Sequence, residues 1–104
     1  MERTMEQGSM VAGLGLIVLH IDGCRSLKEK RAVVKAMIAR LRNAFNASVA
    51  EVGLNDLHRS AHIGIALVGN DVSVVNARMD QMFNAADQMG QGRVIDTQME
   101  IFTI

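Results

Sequence analysis

The 104-residue chain contains no proline, tryptophan or tyrosine, and it has only three phenylalanines and one cysteine. A single cysteine excludes a disulfide within the chain and is usual in a reducing compartment, so we expect a cytoplasmic protein. The lack of tryptophan and tyrosine argues against the usual RNA-recognition motif, which stacks bases on aromatic side chains of its sheet. The longest apolar run, residues 10–19, is far shorter than the ~20 residues that span a bilayer, so no membrane contact is predicted.

The chain has the length of one domain with one modest core. Residues 1–9 are polar and show no periodicity, so we predict a mobile N-terminal extension there. Residues 10–104 are predicted to form a single domain. The apolar run after the extension lacks a cationic leader and a small-residue cleavage site, so no signal peptide is expected.

A capped amphipathic helix is the clearest element of the sequence. Ser26 and Glu29 have the spacing of a capping box, which predicts that the helix begins just after Ser26. Apolar residues then recur at helical spacing and predict one face turned toward a core. These residues are Leu27, Val34, Met37, Ile38, Leu41 and Phe45.

The charge of this neutral chain is unevenly distributed. Residues 24–46 contain seven basic residues and one acidic residue, a net charge of +6, and the rest of the chain contains four basic and ten acidic residues, a net charge of −6. Four basic residues form a stripe roughly 90° around the helix from its apolar face. They are Lys28, Arg31, Lys35 and Arg42. Lys30 adds charge near the beginning of the helix.

Two interpretations of the basic residues remain open. In the first, they are solvated side chains that flank the buried face with their aliphatic stems. In the second, they face an anion such as RNA phosphate, together with the free N–H groups at the beginning of the helix. The candidate anion-binding or nucleic-acid-binding residues are Ser26, Lys28, Lys30, Arg31, Lys35 and Arg42. Their spacing is not that of a phosphate-binding loop of nucleotide triphosphatases.

The remaining pattern predicts strands at residues 10–21, 47–52, 60–68 and 94–102, and a second helix from Asp71 to Gly90. In the last strand Ile95, Met99 and Ile101 share one parity. The order strand, helix, strand, strand, helix, strand predicts an α+β ferredoxin-like βαββαβ sandwich. Such a sandwich has a four-stranded antiparallel sheet with both helices on one face.

The first strand is apolar on both faces, although the predicted helices cover only one face of the sheet. Gly13 and Gly15 also leave one face of this strand without side chains, where another backbone or a subunit can approach. An uncovered apolar sheet face indicates a partner. We therefore expect a homo-oligomer, most simply a homodimer.

Metal binding, cofactor binding and catalysis are not predicted. His58 and His62 are four residues apart in a predicted strand, about 13 Å along it, so they do not chelate as a helical pair does. His20 and Cys24 flank a turn and supply at most two ligands, whereas structural zinc takes four. Cys24 has no histidine and carboxylate or amide partners in a recognisable pattern, so a nucleophile is not indicated.

Four stretches of the sequence are specific enough to indicate a family: SLKEKR at residues 26–31, RLRNAFN at residues 40–46, SVAEV at residues 48–52 and GIALVGND at residues 64–71. They carry a resemblance to the YlxP-like family of small bacterial proteins of unknown function. It implies a ferredoxin-like fold and a cytoplasmic protein, often encoded beside translation-initiation and ribosome-maturation genes. It supplies no catalytic residues.

Two functions follow as expectations. The first is an RNA- or ribosome-associated accessory factor that uses the basic helix. The alternative is a homodimeric small-ligand-binding or regulatory module without catalysis, which uses the open sheet face or the dimer cleft.

Overall fold

A computed structural model describes residues 9–53, 57 and 59–104. Its elements, in chain order, are β1 (Val11–His20), α1 (Leu27–Ala44), β2 (Ser48–Glu51), β3 (Ser60–Gly69), α2 (Val72–Gln88) and β4 (Arg93–Thr103). The strands form one antiparallel sheet in the order β2-β3-β1-β4. This confirms the predicted α+β ferredoxin-like fold. Residues 1–8 lie outside the described residues, so the extension at residues 1–9 stays a prediction.

The core lies between the sheet and the two helices. Alternate residues of β1 and β3 point into it, because successive side chains of a strand lie on opposite faces. The buried strand residues include Val11, Ile17, Leu19, Ala61, Ile63, Ile65 and Leu67. The buried apolar helix residues are Val34, Met37 and Leu41 of α1 and Val75, Met79, Met82 and Ala86 of α2. The apolar face predicted for the first helix is therefore centred on the residues that pack in the core.

The two glycines of β1 face side chains of α2, where the sequence left open the approach of another backbone or of a subunit. A Cβ atom placed on Gly15 would lie 2.6 Å from Met79 Sδ and 3.0 Å from Phe83 Cζ. A Cβ atom on Gly13 would lie 2.9 Å from a methyl group of Val75. The approaching group is thus a helix of the same chain, which lies against the bare backbone of β1.

A β-bulge in β4 separates Ile95 from the two residues whose parity it shares in the sequence. Val18 pairs with Asp96 and Leu19 pairs with Val94, so Ile95 is an extra residue in β4. The bulge changes the parity, and the partly buried Val94 packs against the core while Ile95 is exposed. Met99 and Ile101 pack against the core.

The face of the sheet opposite the helices, the open face, carries the other alternate residues. Among the residues that the structure describes, ten large apolar side chains are exposed, and six of them lie on this face. The six are Met10, Leu14, Val52, Val68, Phe102 and Ile104. Exposed apolar surface is therefore concentrated on one side of the molecule. No helix in the described part of the chain is long and apolar enough to cross a membrane.

Candidate functional site

The beginning of α1 is closed by the predicted capping box. The Ser26 hydroxyl accepts a hydrogen bond from the Glu29 N–H at 3.2 Å, and the Glu29 carboxylate accepts one from the Arg25 N–H at 2.6 Å. The cap is confirmed, and the carboxylate of Glu29 takes one of the N–H groups near the helix terminus that an external anion would need. Whether Ser26 also binds an anion stays a prediction.

Lys30 is not on the basic surface where the sequence analysis placed it. It lies four residues before Val34 and seven before Met37, so helical spacing carries it into the core-facing stripe. The side chain is 1% exposed, and its Nζ lies 3.0 Å from Glu51 Oε2 on β2. Lys30 therefore joins α1 to β2 through an ion pair and does not line the surface.

The Lys30–Glu51 contact is an ion pair with imperfect hydrogen-bond geometry. Glu51 Oε2 is shielded from water and meets no donor at hydrogen-bonding angles among the described residues, although Lys30 Nζ is only 3.0 Å away. The two charges attract at this distance, since attraction between opposite charges depends far less on angle than a hydrogen bond does. The Glu51 side chain keeps 22% of its surface exposed at the sheet edge.

A groove runs between the exposed side of α1 and the edge strand β2; we call it the α1–β2 groove. Its volume is about 570 Å³. The lining residues are Arg31, Val34, Lys35, Ile38, Ala39, Arg42, Ala50 and Glu51. The structure therefore brings three of the six candidate residues together in one groove. Lys28 is exposed on the preceding turn of α1 and does not line the groove, and neither does Ser26.

Arg42 is held in the groove by a hydrogen bond to the edge strand β2. The Val52 N–H donates to the His62 carbonyl at 2.8 Å, so Val52 directs its backbone groups toward β3. Successive residues of an antiparallel strand direct these groups alternately toward and away from the neighbouring strand, so those of Val49 and Glu51 point away from β3. Arg42 Nη2 donates to the outward carbonyl of Val49 at 2.7 Å. This bond orients the guanidinium group and covers part of an edge on which another strand can pair.

The charge of the α1–β2 groove is strongly positive. Arg31, Lys35 and Arg42 contribute three positive charges, and all three residues are exposed. Of the described residues that line the groove, Glu51 alone is acidic, and its charge is matched by Lys30. A concave surface of one sign concentrates ions of the opposite sign. The groove is therefore suited to a polyanion.

The candidate metal ligands of the sequence lie apart or are engaged elsewhere. His20 Nε2 lies 3.0 Å from Asp22 Oδ1, and Asp22 Oδ2 lies 3.5 Å from Arg93 Nε. Cys24 is buried and its Sγ donates to the Ser26 carbonyl at 3.4 Å. His58 lies outside the described residues. Within the described ranges, no three His, Cys, Asp or Glu side chains are grouped to hold a metal ion.

A second groove, smaller than the α1–β2 groove, crosses the open face, where the sequence predicts a partner or a small ligand. Its volume is about 340 Å³. Side chains that line it include Leu14, Leu16, Ser48, Ala50, Val52 and Ala66. Gly64 of β3 also lines it, and the Val52 side chain packs on this glycine, since a Cβ atom placed there would lie 2.9 Å from a Val52 methyl group. The groove is almost entirely apolar, in contrast to the α1–β2 groove.

Comparisons with known proteins give one family and no activity. The family model described as "Protein of unknown function (DUF503)" matches residues 13–99, which include every residue that lines the α1–β2 groove. The "Uncharacterized protein YlxP" of Bacillus subtilis (strain 168) is 47% identical over 45 residues, 43% of this chain and 49% of that protein. The matched stretch thus spans about half the length of this curated relative. The "De novo designed protein Foldit4" covers 91% of the chain, and 96% of its own length, with a TM-score of 0.48 and 9% identity, too distant to inform function.

Proposed function

This chain belongs to the family described as "Protein of unknown function (DUF503)", and we propose that it is a small cytoplasmic accessory protein that binds RNA, free or in ribosomal particles. The α1–β2 groove holds the sugar–phosphate backbone in this proposal. One observation carries it: Arg31, Lys35 and Arg42 line one groove in which the acidic residue is already paired with Lys30.

Binding is to the RNA backbone and not to the bases. The chain has no tryptophan or tyrosine, and its phenylalanines are Phe45, Phe83 and Phe102. None of the three lines the α1–β2 groove as the structure describes it, so bases find no aromatic stacking surface there. Contacts to phosphate and sugar position a protein on a nucleic acid without reading its sequence. We therefore expect similar affinity for RNAs of different sequence.

Arg31 and Lys35 are the residues with which to test this proposal. They lie one helical turn apart, about 6 Å along the axis of α1, and both are exposed. The Arg31→Gln/Lys35→Gln variant removes two charges from the groove and leaves Arg42 bonded to Val49. If both cations meet phosphates, the slope of log affinity against log salt should fall by about 1.4 to 1.8 in magnitude. Fluorescence anisotropy with a labelled RNA from ~50 mM to ~200 mM salt measures the slope.

The matched control also removes two positive charges, but from residues outside the α1–β2 groove. Arg40 and Arg93 are exposed and do not line the groove, so Arg40→Gln/Arg93→Gln has the same net charge as the groove variant. We expect this control to keep most of the affinity and the groove variant to lose most of it. Equal losses of affinity in the two variants would mean that RNA binding depends on the net charge of the protein and not on the groove. Absence of wild-type binding to free RNA and to ribosomal particles at low salt would refute the proposal.

The second candidate function is the homodimeric small-ligand-binding or regulatory module. The observation in its favour is the apolar groove of about 340 Å³ on the open face, which has the size of a small-molecule site. A thermal-shift screen of small apolar compounds tests it. A ligand that stabilises the wild type should lose its effect in Ala66→Phe, which fills the groove. The same ligand should still stabilise the Arg31→Gln/Lys35→Gln variant.

A further inference from the structure

The open face alternates large and small side chains in a regular way. Residues of β1 and β3 that pair across the two strands lie at the same position along the strand direction, and their side chains point to the same face. Each of three successive pairs joins one large and one small residue. The pairs are Ala12 with Val68, Leu14 with Ala66, and Leu16 with Gly64.

We propose that a second copy of this chain packs on the open face, related by a two-fold axis that runs parallel to the strands. Such an axis lies between the two sheets. It reverses the left-to-right order of the strands in the second copy but keeps each residue at the same position along the strand direction. It therefore places β1 of one copy over β3 of the other, and β4 over β2. This inference is independent of RNA binding, which uses the α1–β2 groove at the sheet edge.

Under this symmetry every large side chain of the three pairs meets a small one. Leu14 of one copy lies over Ala66 of the second copy, and Leu16 lies over Gly64, beside the Val52 side chain that packs on that glycine. The alternation of large and small residues across facing layers is what permits interdigitated packing. Each copy thus supplies both the protruding leucines and the groove that receives them.

The charges of the open face favour the same axis. Asp96 and Glu100 of β4 lie on this face, opposite Val18 and Leu14 of β1. An axis perpendicular to the strands would place β4 over β4 and bring these acids near their own copies. The parallel axis places β4 over β2, whose residues on this face are Ser48 and Ala50. The acids then form part of a polar rim, as is usual at interfaces.

The area of the face is sufficient for a specific dimer. Each strand residue covers about 16 Å² of the sheet face, which is the product of a rise of ~3.4 Å per residue and a strand spacing of ~4.8 Å. Four strands of 10, 4, 10 and 11 residues therefore present roughly 550 Å² per copy. Two faces bury about 1,100 Å², just above the ~1,000 Å² expected of a biological interface. Leu14 and Leu16 are at its centre.

A charge at the centre of the face should dissociate the dimer. Leu14 is 50% exposed in the single chain and lies beside Glu100, so Leu14→Lys leaves the fold of each copy intact. In the dimer the ammonium would be buried against Ala66 of the second copy, and we expect dimerisation to weaken more than about 100-fold. Val74→Lys is the matched control, because Val74 is 54% exposed on α2 and away from the sheet.

Sedimentation equilibrium of the full chain measures the outcome. We expect wild type and Val74→Lys at twice the chain mass of 11.3 kDa, and Leu14→Lys at the chain mass with an unchanged circular dichroism spectrum. A wild type that stays at 11.3 kDa up to the highest soluble concentration overturns the proposal. A Leu14→Lys variant that stays dimeric also overturns it, since the copies then meet elsewhere.

A pair of volume exchanges tests the symmetry itself. Leu14→Ala leaves a hole in each copy, and Ala66→Leu makes two leucines meet, so each should weaken the dimer by about 10-fold or more. The double variant Leu14→Ala/Ala66→Leu again sets a large residue over a small one, so it should dimerise nearly as well as the wild type. If the losses of the single variants add in the double variant, the two-fold axis parallel to the strands is wrong.

Discussion

Removal of the negative charge of Glu51 should destabilise the protein more than removal of the positive charge of Lys30. Lys30 is 1% exposed on the core-facing side of the first turn of α1, whereas Glu51 is 22% exposed on an edge strand. Glu51→Gln keeps the shape of the side chain but removes the negative charge that lies 3.0 Å from the buried ammonium. Lys30→Met leaves a carboxylate that can turn toward water at the edge.

The magnitudes follow from this difference in burial. Loss of one member of a buried ion pair costs about 3–5 kcal/mol, and we expect about 3 kcal/mol for Glu51→Gln because the pair lies near the edge. Lys30→Met should cost about 1 kcal/mol, since a buried methionine regains apolar contacts. In a domain of this size, 3 kcal/mol lowers the melting temperature by roughly 12–24 °C.

Urea unfolding at neutral pH and equal protein concentration measures both values. The double variant Lys30→Met/Glu51→Gln should be nearly as stable as Lys30→Met alone, because the buried ammonium that Glu51 attracts is absent from both. Asp87→Asn on the exposed surface of α2 is the control and should change stability by less than ~0.5 kcal/mol. A Lys30→Met variant less stable than Glu51→Gln, or a double variant that shows the full sum of the two losses, would refute this reasoning.

Two further predictions concern single residues. Gly15→Ala should lower the free energy of unfolding by about 1–3 kcal/mol, measured by urea unfolding, because its Cβ would lie 2.6 Å from Met79 Sδ in a packed core. The pKa of the Asp71 carboxyl is held below its ordinary value of 3.8, first by the Ser73 hydroxyl and next by the Val74 N–H at the beginning of α2. A depressed folded-state pKa stabilises the protein fully above pH 3.8, and the effect is lost as the pH falls through the folded-state value. Wild type should therefore be more stable than Asp71→Asn near neutral pH, and urea unfolding at a series of acidic pH values should show the two converging.

Local signals in the sequence were sufficient to predict the element order and the helix termini. Ser26 with Glu29, and Asp71 before the second helix, act through hydrogen bonds to residues three positions away, so their roles are visible in the sequence. The fold class followed from the alternation of strand and helix periods. These are short-range effects, and the structure confirms them.

The errors concern interactions between distant parts of the chain. Lys30 is counted with the basic surface in the sequence analysis, although its spacing from Val34 and Met37 points inward. Its burial depends on Glu51, 21 residues away, whose inward position is set by the pairing of β2 with β3. The bulge at Ile95 likewise depends on the pairing of β4 with β1, and no local pattern marks it.

Arg42 joins two features of the molecule in one side chain, the positive charge of the α1–β2 groove and the protection of the sheet edge. Its bond to the Val49 carbonyl covers part of an edge that would otherwise be open to strand addition by another chain. A substitution at this position is therefore expected to change self-association as well as the charge of the groove. Arg42→Gln removes both, because the shorter amide side chain does not reach the carbonyl that Arg42 Nη2 contacts at 2.7 Å. Colloidal stability during expression and storage is thus tied to a residue of the proposed anion-binding groove.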